Sequence, residues 1–128
     1  GGKALSKDHV VWGGNRVPGR RASFGRHTNI EGPVRRASPY LADSELAPNS
    51  LRGCVALIGR GVCTFTEKAE RAAKAGAVGI VFVNHADRLF DVIGHAPHIT
   101  LPCMAVPLSG ADGIPDGATV QFDFEEGG

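Results

Sequence analysis

Leu51-Arg52-Gly53-Cys54-Val55-Ala56-Leu57-Ile58-Gly59-Arg60-Gly61-Val62-Cys63-Thr64-Phe65-Thr66-Glu67-Lys68 decides the fold, read on through Ala73-Lys74-Ala75-Gly76-Ala77-Val78-Gly79-Ile80-Val81-Phe82-Val83-Asn84. Cys54 to Ile58 is a short, continuous apolar run, the pattern of a strand buried on both faces. Gly59-Arg60-Gly61 breaks it. Thr64-Phe65-Thr66-Glu67 then fits a capping box, in which Thr64 and Glu67 each satisfy a free backbone N–H at a helix start. Phe65, Ala69, Ala72, Ala73 and Gly76 recur on one helical face, while Glu67, Lys68, Glu70, Arg71 and Lys74 fall mostly on the other. The spacing predicts one main helix over about 64–76, with a small-residue inner face packed close to a sheet. Gly76 is its natural stop, since glycine takes a positive φ without a Cβ clash. Val78 to Val83 is a second apolar strand. Strand, helix and strand in this order make a βαβ unit with parallel strands and a right-handed crossover.

Outward from this unit the chain reads as short strands and turns. His9-Val10-Val11-Trp12, Ala22-Ser23-Phe24-Gly25 and Pro33-Val34-Arg35-Arg36-Ala37 are candidate strands, with Gly13-Gly14-Asn15 and Val17-Pro18-Gly19 as breakers and 40–50 as loop. Downstream, Asn84 to Thr100 is a long loop rich in His and Asp. Cys103 to Pro107 and Ala118 to Phe124 are two more short strands. The segment 109–117 between them carries too much glycine and proline for a proper helix.

The chain has 128 residues, enough for one domain, and 18 glycines with 8 prolines disfavour a helical bundle. No apolar run approaches the ~20 residues of a membrane helix, so no membrane contact is expected of this stretch. Met104 is the only methionine, and glycine pairs stand at both ends, which reads as a domain excised from a longer protein or a processed product. Residues 1–19 are expected as an N-terminal extension or first strand, and 20–126 as a single domain. Charge is uneven: residues 1–36 carry eight basic and two acidic residues, the remainder six basic and eleven acidic. The arginines are expected on solvent faces, paired with the acidic remainder. With only Trp12 and Phe24 as aromatics there, no nucleic-acid partner is expected.

The run Arg60-Gly61-Val62-Cys63-Thr64-Phe65-Thr66-Glu67-Lys68, followed by Ala75-Gly76-Ala77 and an apolar strand ending in Asn84, closely resembles the signature of the protease-associated (PA) domain family. Leu101-Pro102-Cys103-Met104-Ala105-Val106 is similar to the family's later strand, so the resemblance spans roughly residues 20–124. It implies an α/β fold, a compact three-layer β/β/α domain of the swivelling type. The implied role is non-catalytic. Such a module of a larger protein binds peptide or protein segments, or gates a neighbouring protease, glycosidase or ubiquitin-ligase domain. A secretory or endomembrane lumen, or the extracellular space, is implied with it. Many lumenal members pair the cysteine matching Cys63 with one in the preceding loop, where this chain has Asp43-Ser44-Glu45. A disulfide of Cys63 would need Cys54 or Cys103 instead, and the pairing of these three stays open.

Residue chemistry offers few rivals to a binding role. Cys63 precedes a helix N-terminus, a place that lowers a thiol pKa, and His9, His27, His85, His95 and His98 are conceivable partners. A hydrolase site using Cys63 with a loop histidine is therefore the alternative function. His85, Asp87, Asp91, His95 and His98 crowd one window, but without helical His-x-x-x-His or Cys-x-x-Cys spacing. No metal and no cofactor is expected. No Gly-x-Ser-x-Gly elbow, phosphate loop or Asn-x-Ser/Thr sequon occurs. In parallel sheets ligands sit beyond the C-terminal strand ends, where free N–H groups suit a carboxylate or carbonyl. The candidate peptide-binding residues are accordingly Arg60, Gly61 and Val62 after the first strand, with Asn84, His85, Asp87, His95 and His98 after the second.

Overall fold

The two apolar runs become β4 (Val55–Gly59) and β5 (Gly79–Val83), paired in parallel with Val55 opposite Gly79 and Gly59 opposite Val83. The computed structural model, which describes residues 7–126, places α1 (Phe65–Lys74) between them as the crossover. Around this unit lie β1 (Asp8–Trp12), β2 (Asn15–Arg21), β3 (Glu31–Arg36), β6 (Cys103–Val106), the single turn α2 (Leu108–Ala111) and β7 (Thr119–Asp123).

The seven strands close into a barrel in the order β1-β2-β6-β5-β4-β3-β7. This replaces the expected three layers. The reason is the amino-terminal hairpin: β2 pairs with β6, while β1 pairs with β7, and β7 pairs in turn with β3. Closure satisfies the edge groups that an open sheet would leave bare. Val17-Pro18-Gly19, read as a breaker, lies inside β2. Only Arg20 and Arg21 of β2 pair with β6, so Pro18 has no ladder N–H to supply on that side. Ala22–Gly25, read as a strand, is a bend instead, because Gly25 takes φ +80° and turns the chain.

Alternation along the buried strands builds two cores. Val55, Leu57, Val81, Val83, Met104 and Val106 join Val10, Val34, Val120 and Phe122 in one cluster. Their neighbours Ala56, Ile58, Ile80, Phe82 and Ala105 point the other way, to α1 and the 90–101 segment. Ala69 and Ala72 are fully buried there, and small side chains let the helix lie close against the barrel wall. Phe82 stands edge-on to Phe65, with centroids 5.1 Å apart. At the helix end Ala75 is the cap residue and Gly76 takes φ +96°, where a Cβ would lie 2.9 Å from Arg52 Cα. Among the described residues no helix is long and apolar enough to cross a membrane.

The arginines of the basic first third are mostly paired. Arg16 meets Asp123, Arg20 meets Asp91, Arg36 meets Asp116, and Arg21 grips Asp8 with two bonds of 2.9 and 2.8 Å.

Candidate functional site

Two chain segments leave the C-terminal ends of adjacent parallel strands, and the barrel sets them side by side. Gly59, the last residue of β4, lies under Tyr40: a Cβ there would come within 2.7 Å of the Tyr40 ring. The Arg60 N–H then donates to the Val83 carbonyl at 2.9 Å, tying the two strand ends together. Gly61 and Val62 follow with φ +126° and +74°. For a β-branched residue the latter is a strained conformation of the kind concentrated at functional positions. Val62 is also 81% exposed, an apolar side chain held outward.

A buried lysine holds this turn. Lys68, with no exposed surface, donates from Nζ to the Leu41 carbonyl at 2.5 Å and the Gly61 carbonyl at 2.6 Å. Arg71, one turn along α1, donates from Nη1 to the Ala42 carbonyl at 2.8 Å and to Cys63 Sγ at 3.6 Å. Together they clamp the 40–42 turn to the 61–63 turn. Burial lowers the Lys68 pKa, while the neighbouring Cys63 and Asp43 oppose that shift. The reading of Lys68 as an outward residue is corrected here. Phe65, Lys68, Ala69 and Ala72 follow the i, i+3, i+4, i+7 stripe, so the spacing placed Lys68 inward and only its charge argued otherwise.

Asn84, 1% exposed, is committed to its own loop. Its Oδ1 accepts from the His85 N–H at 2.8 Å and from Arg60 Nη1 at 3.2 Å, and its Nδ2 donates to the Arg88 carbonyl at 2.9 Å. Arg60 also lies over the Phe90 ring, 4.9 Å from its centroid, a cation–π contact. Arg60, Gly61, Val62, Asn84 and His85 thus form one rim, with His85 exposed. Beside it a groove of about 260 Å³ is lined by Arg36, Tyr40, Val83, Leu108 and Asp112. Tyr40 and Leu108 are exposed apolar residues that sequence reasoning did not select, because no motif or periodicity sets them apart.

The remaining candidates point elsewhere. Asp87 accepts from the Ser109 N–H at 3.1 Å and from the Ser109 hydroxyl, and these bonds lower its carboxyl pKa. His98 meets Glu70 on α1 at 2.9 Å. His95 lines a separate groove opposite Ser23 and Arg26. With Asp91 on Arg20, the His/Asp window is dispersed over separate partners, and no group of three metal-ligating side chains converges among the described residues.

Cys54, Cys63 and Cys103 are all free thiols. Burial pushes the Cys103 thiol pKa strongly up, as in an inert core cysteine. Cys63 donates to the Ala42 carbonyl at 3.7 Å and accepts from Arg71; no histidine hydrogen-bonds it among the described residues.

The family model described as PA domain matches residues 21–114. A probable lipoprotein aminopeptidase, LpqL of Mycobacterium tuberculosis, is 30% identical over 80% of this chain and 22% of its own length. The human ER degradation-enhancing alpha-mannosidase-like protein 3 is 38% identical over 49% of this chain and 7% of its own length. The chain therefore spans about a fifth or less of these relatives. Among solved structures, the zinc aminopeptidase BSAP of Bacillus subtilis superposes with a TM-score of 0.75, at 19% identity, over 93% of this chain and 30% of that one. The aminopeptidase of Aneurinibacillus sp. strain AM-1 gives 0.74 at 18% identity, over 95% and 31%. These two likenesses show the fold.

Proposed function

Because the chain belongs to the PA domain family, we propose that it is the non-catalytic interaction module of a larger protein, holding a polypeptide segment or a neighbouring domain against its Arg60–His85 rim. The observation that carries this reading is Val62. An apolar, β-branched side chain is held outward in a left-handed conformation, on a turn clamped from beneath by Lys68. Strain of roughly 1–3 kcal/mol persists only where surrounding structure enforces it, and preorganisation for contact gives that enforcement a use. Tyr40 and Leu108 in the adjoining groove extend the apolar surface.

The relatives support an accessory role. The matched stretch is a minor part of proteins named as an aminopeptidase and a mannosidase-like protein, whose chemistries differ. What is shared is the module and not a reaction. The names lipoprotein and ER degradation-enhancing favour a secretory or extracellular setting for this chain as well.

A peptide-display selection on the chain tests the proposal. Peptides selected by the wild type lose binding to Val62→Asp, whose spectrum is otherwise unchanged. Undiminished binding by that variant refutes the rim, and turnover of peptide or glycosidic substrates that Cys63→Ala abolishes refutes the non-catalytic role.

A further inference from the structure

Away from the rim, the bend at 23–26 and the segment 92–100 are joined at both ends and parted between. At one end Ser23 N–H donates to the Val92 carbonyl at 2.9 Å, and Ser23 Oγ exchanges bonds with Gly94, donating to its carbonyl at 2.9 Å and accepting its N–H at 3.0 Å. At the other end Arg26 N–H donates to the Thr100 carbonyl at 3.1 Å. Between these ties opens a groove of about 410 Å³, with buried Phe24 and Ile99 at its base.

Its lining contains Arg26 and His95 and no acidic side chain. Most other arginines of the basic first third are matched to a carboxylate. Among the described residues the Arg26 guanidinium and the His95 ring take no hydrogen bond and no ion pair, and both side chains are exposed. The backbone N–H groups of Gly25 and Ala96 on the two walls likewise meet no protein acceptor among the described residues. The lining thus offers two unpaired basic side chains and no carboxylate to compete for them. Planar guanidinium donors match a carboxylate in geometry as well as charge.

We propose that the groove between Ser23–Arg26 and Gly94–Thr100 binds a peptide carboxylate, with Arg26 as its main partner and His95 opposite. The acceptor is either a chain terminus or an Asp or Glu side chain. This rests on the reading of the chain as a polypeptide-binding module, and it adds a second, charge-reading contact remote from Val62.

The test uses three probes on the ¹⁵N-labelled 128-residue chain: acetyl-Ala-Ala-Ala with a free terminus, acetyl-Ala-Asp-Ala-amide, and acetyl-Ala-Ala-Ala-amide. At least one carboxylate peptide shifts the Gly25, Gly94 and Ala96 amide signals, and which one identifies the source. The uncharged peptide does not. Arg26→Gln weakens that binding about tenfold or more, as loss of a charged hydrogen-bond partner implies, and His95→Gln weakens it severalfold. Equal shifts from the uncharged peptide, no shift from any, or unchanged affinity in Arg26→Gln overturns the proposal. Val62→Asp, titrated alongside, keeps the groove response. A groove response without Val62-dependent docking sinks the rim reading alone, and Val62-dependent docking without a groove response sinks this inference alone.

Discussion

Lys68→Met removes an ammonium group while keeping an unbranched apolar stem, and so isolates what the buried charge does. Two bonds are lost, to the carbonyls of Leu41 and Gly61 at 2.5 and 2.6 Å, on a side chain with no exposed surface. Hydrogen bonds from a charged donor contribute about 1.5–3 kcal/mol each, and the two carbonyls would be left without that partner. Against this, the variant no longer buries a charge, a gain of several kcal/mol in the unfavourable limit. What decides the sign is that two carbonyls inside the clamp lose their donor, and a net loss of about 1–3 kcal/mol is expected. Urea unfolding gives the number. Amide hydrogen exchange gives its location: protection falls first at Cys63, whose N–H bonds the Gly61 carbonyl at 2.9 Å, and at Ala42. There is also a signature in pH. Burial lowers the folded-state pKa below the ordinary 10.5, so between the two values the unfolded chain binds the extra proton. Stability contributed by this group therefore rises with pH across that window, and Lys68→Met removes the rise. A variant within about 0.5 kcal/mol of wild type, with unchanged exchange at Cys63, would refute the clamp.

Phe82→Ala empties a fully buried site between Phe65 and Phe24 and is expected to cost about 3–5 kcal/mol in chemical unfolding. Thr64→Ala removes the side-chain acceptor of the Glu67 N–H and is expected to cost about 0.5–2 kcal/mol, read from the thermal midpoint. Asp8, nearly buried and held chiefly by Arg21, has a pKa below its ordinary 3.8. Its contribution is complete above 3.8 and is lost as pH falls through the lowered folded value, so Asp8→Asn flattens the acid limb of a stability-against-pH curve. Gly76→Ala meets both a positive φ and the Arg52 backbone 2.9 Å away, and destabilises by more than the roughly 1 kcal/mol of a positive-φ substitution alone.

The parts of the fold legible in sequence are those where one local rule dominates. The apolar runs at β4 and β5 and the Thr64–Glu67 box lead directly to the parallel strands and helix, starting at Phe65. Barrel closure was not legible, because it depends on which strands β2 and β7 meet, and pairing partners leave no periodicity of their own. Pro18 and Gly19 misled for a related reason: a breaker is tolerated where one side of a strand is unpaired. In the site, Arg60 and Asn84, read as candidates for peptide binding, lie side by side, and their bond to one another makes them framework for the rim. Lys68 shows the limit most clearly. Its charge argued for solvent, while its register placed it against two carbonyls that a linear reading cannot see.

If polypeptide docks on the Val62 rim and the module itself is not catalytic, one titration reads both: the ¹⁵N amide map of the chain, titrated with the peptides selected on it by display. A footprint at Gly61, Val62 and His85 that Val62→Asp abolishes is expected, with no turnover by the chain alone. A footprint confined to another face, or turnover that depends on Cys63, would contradict that reading.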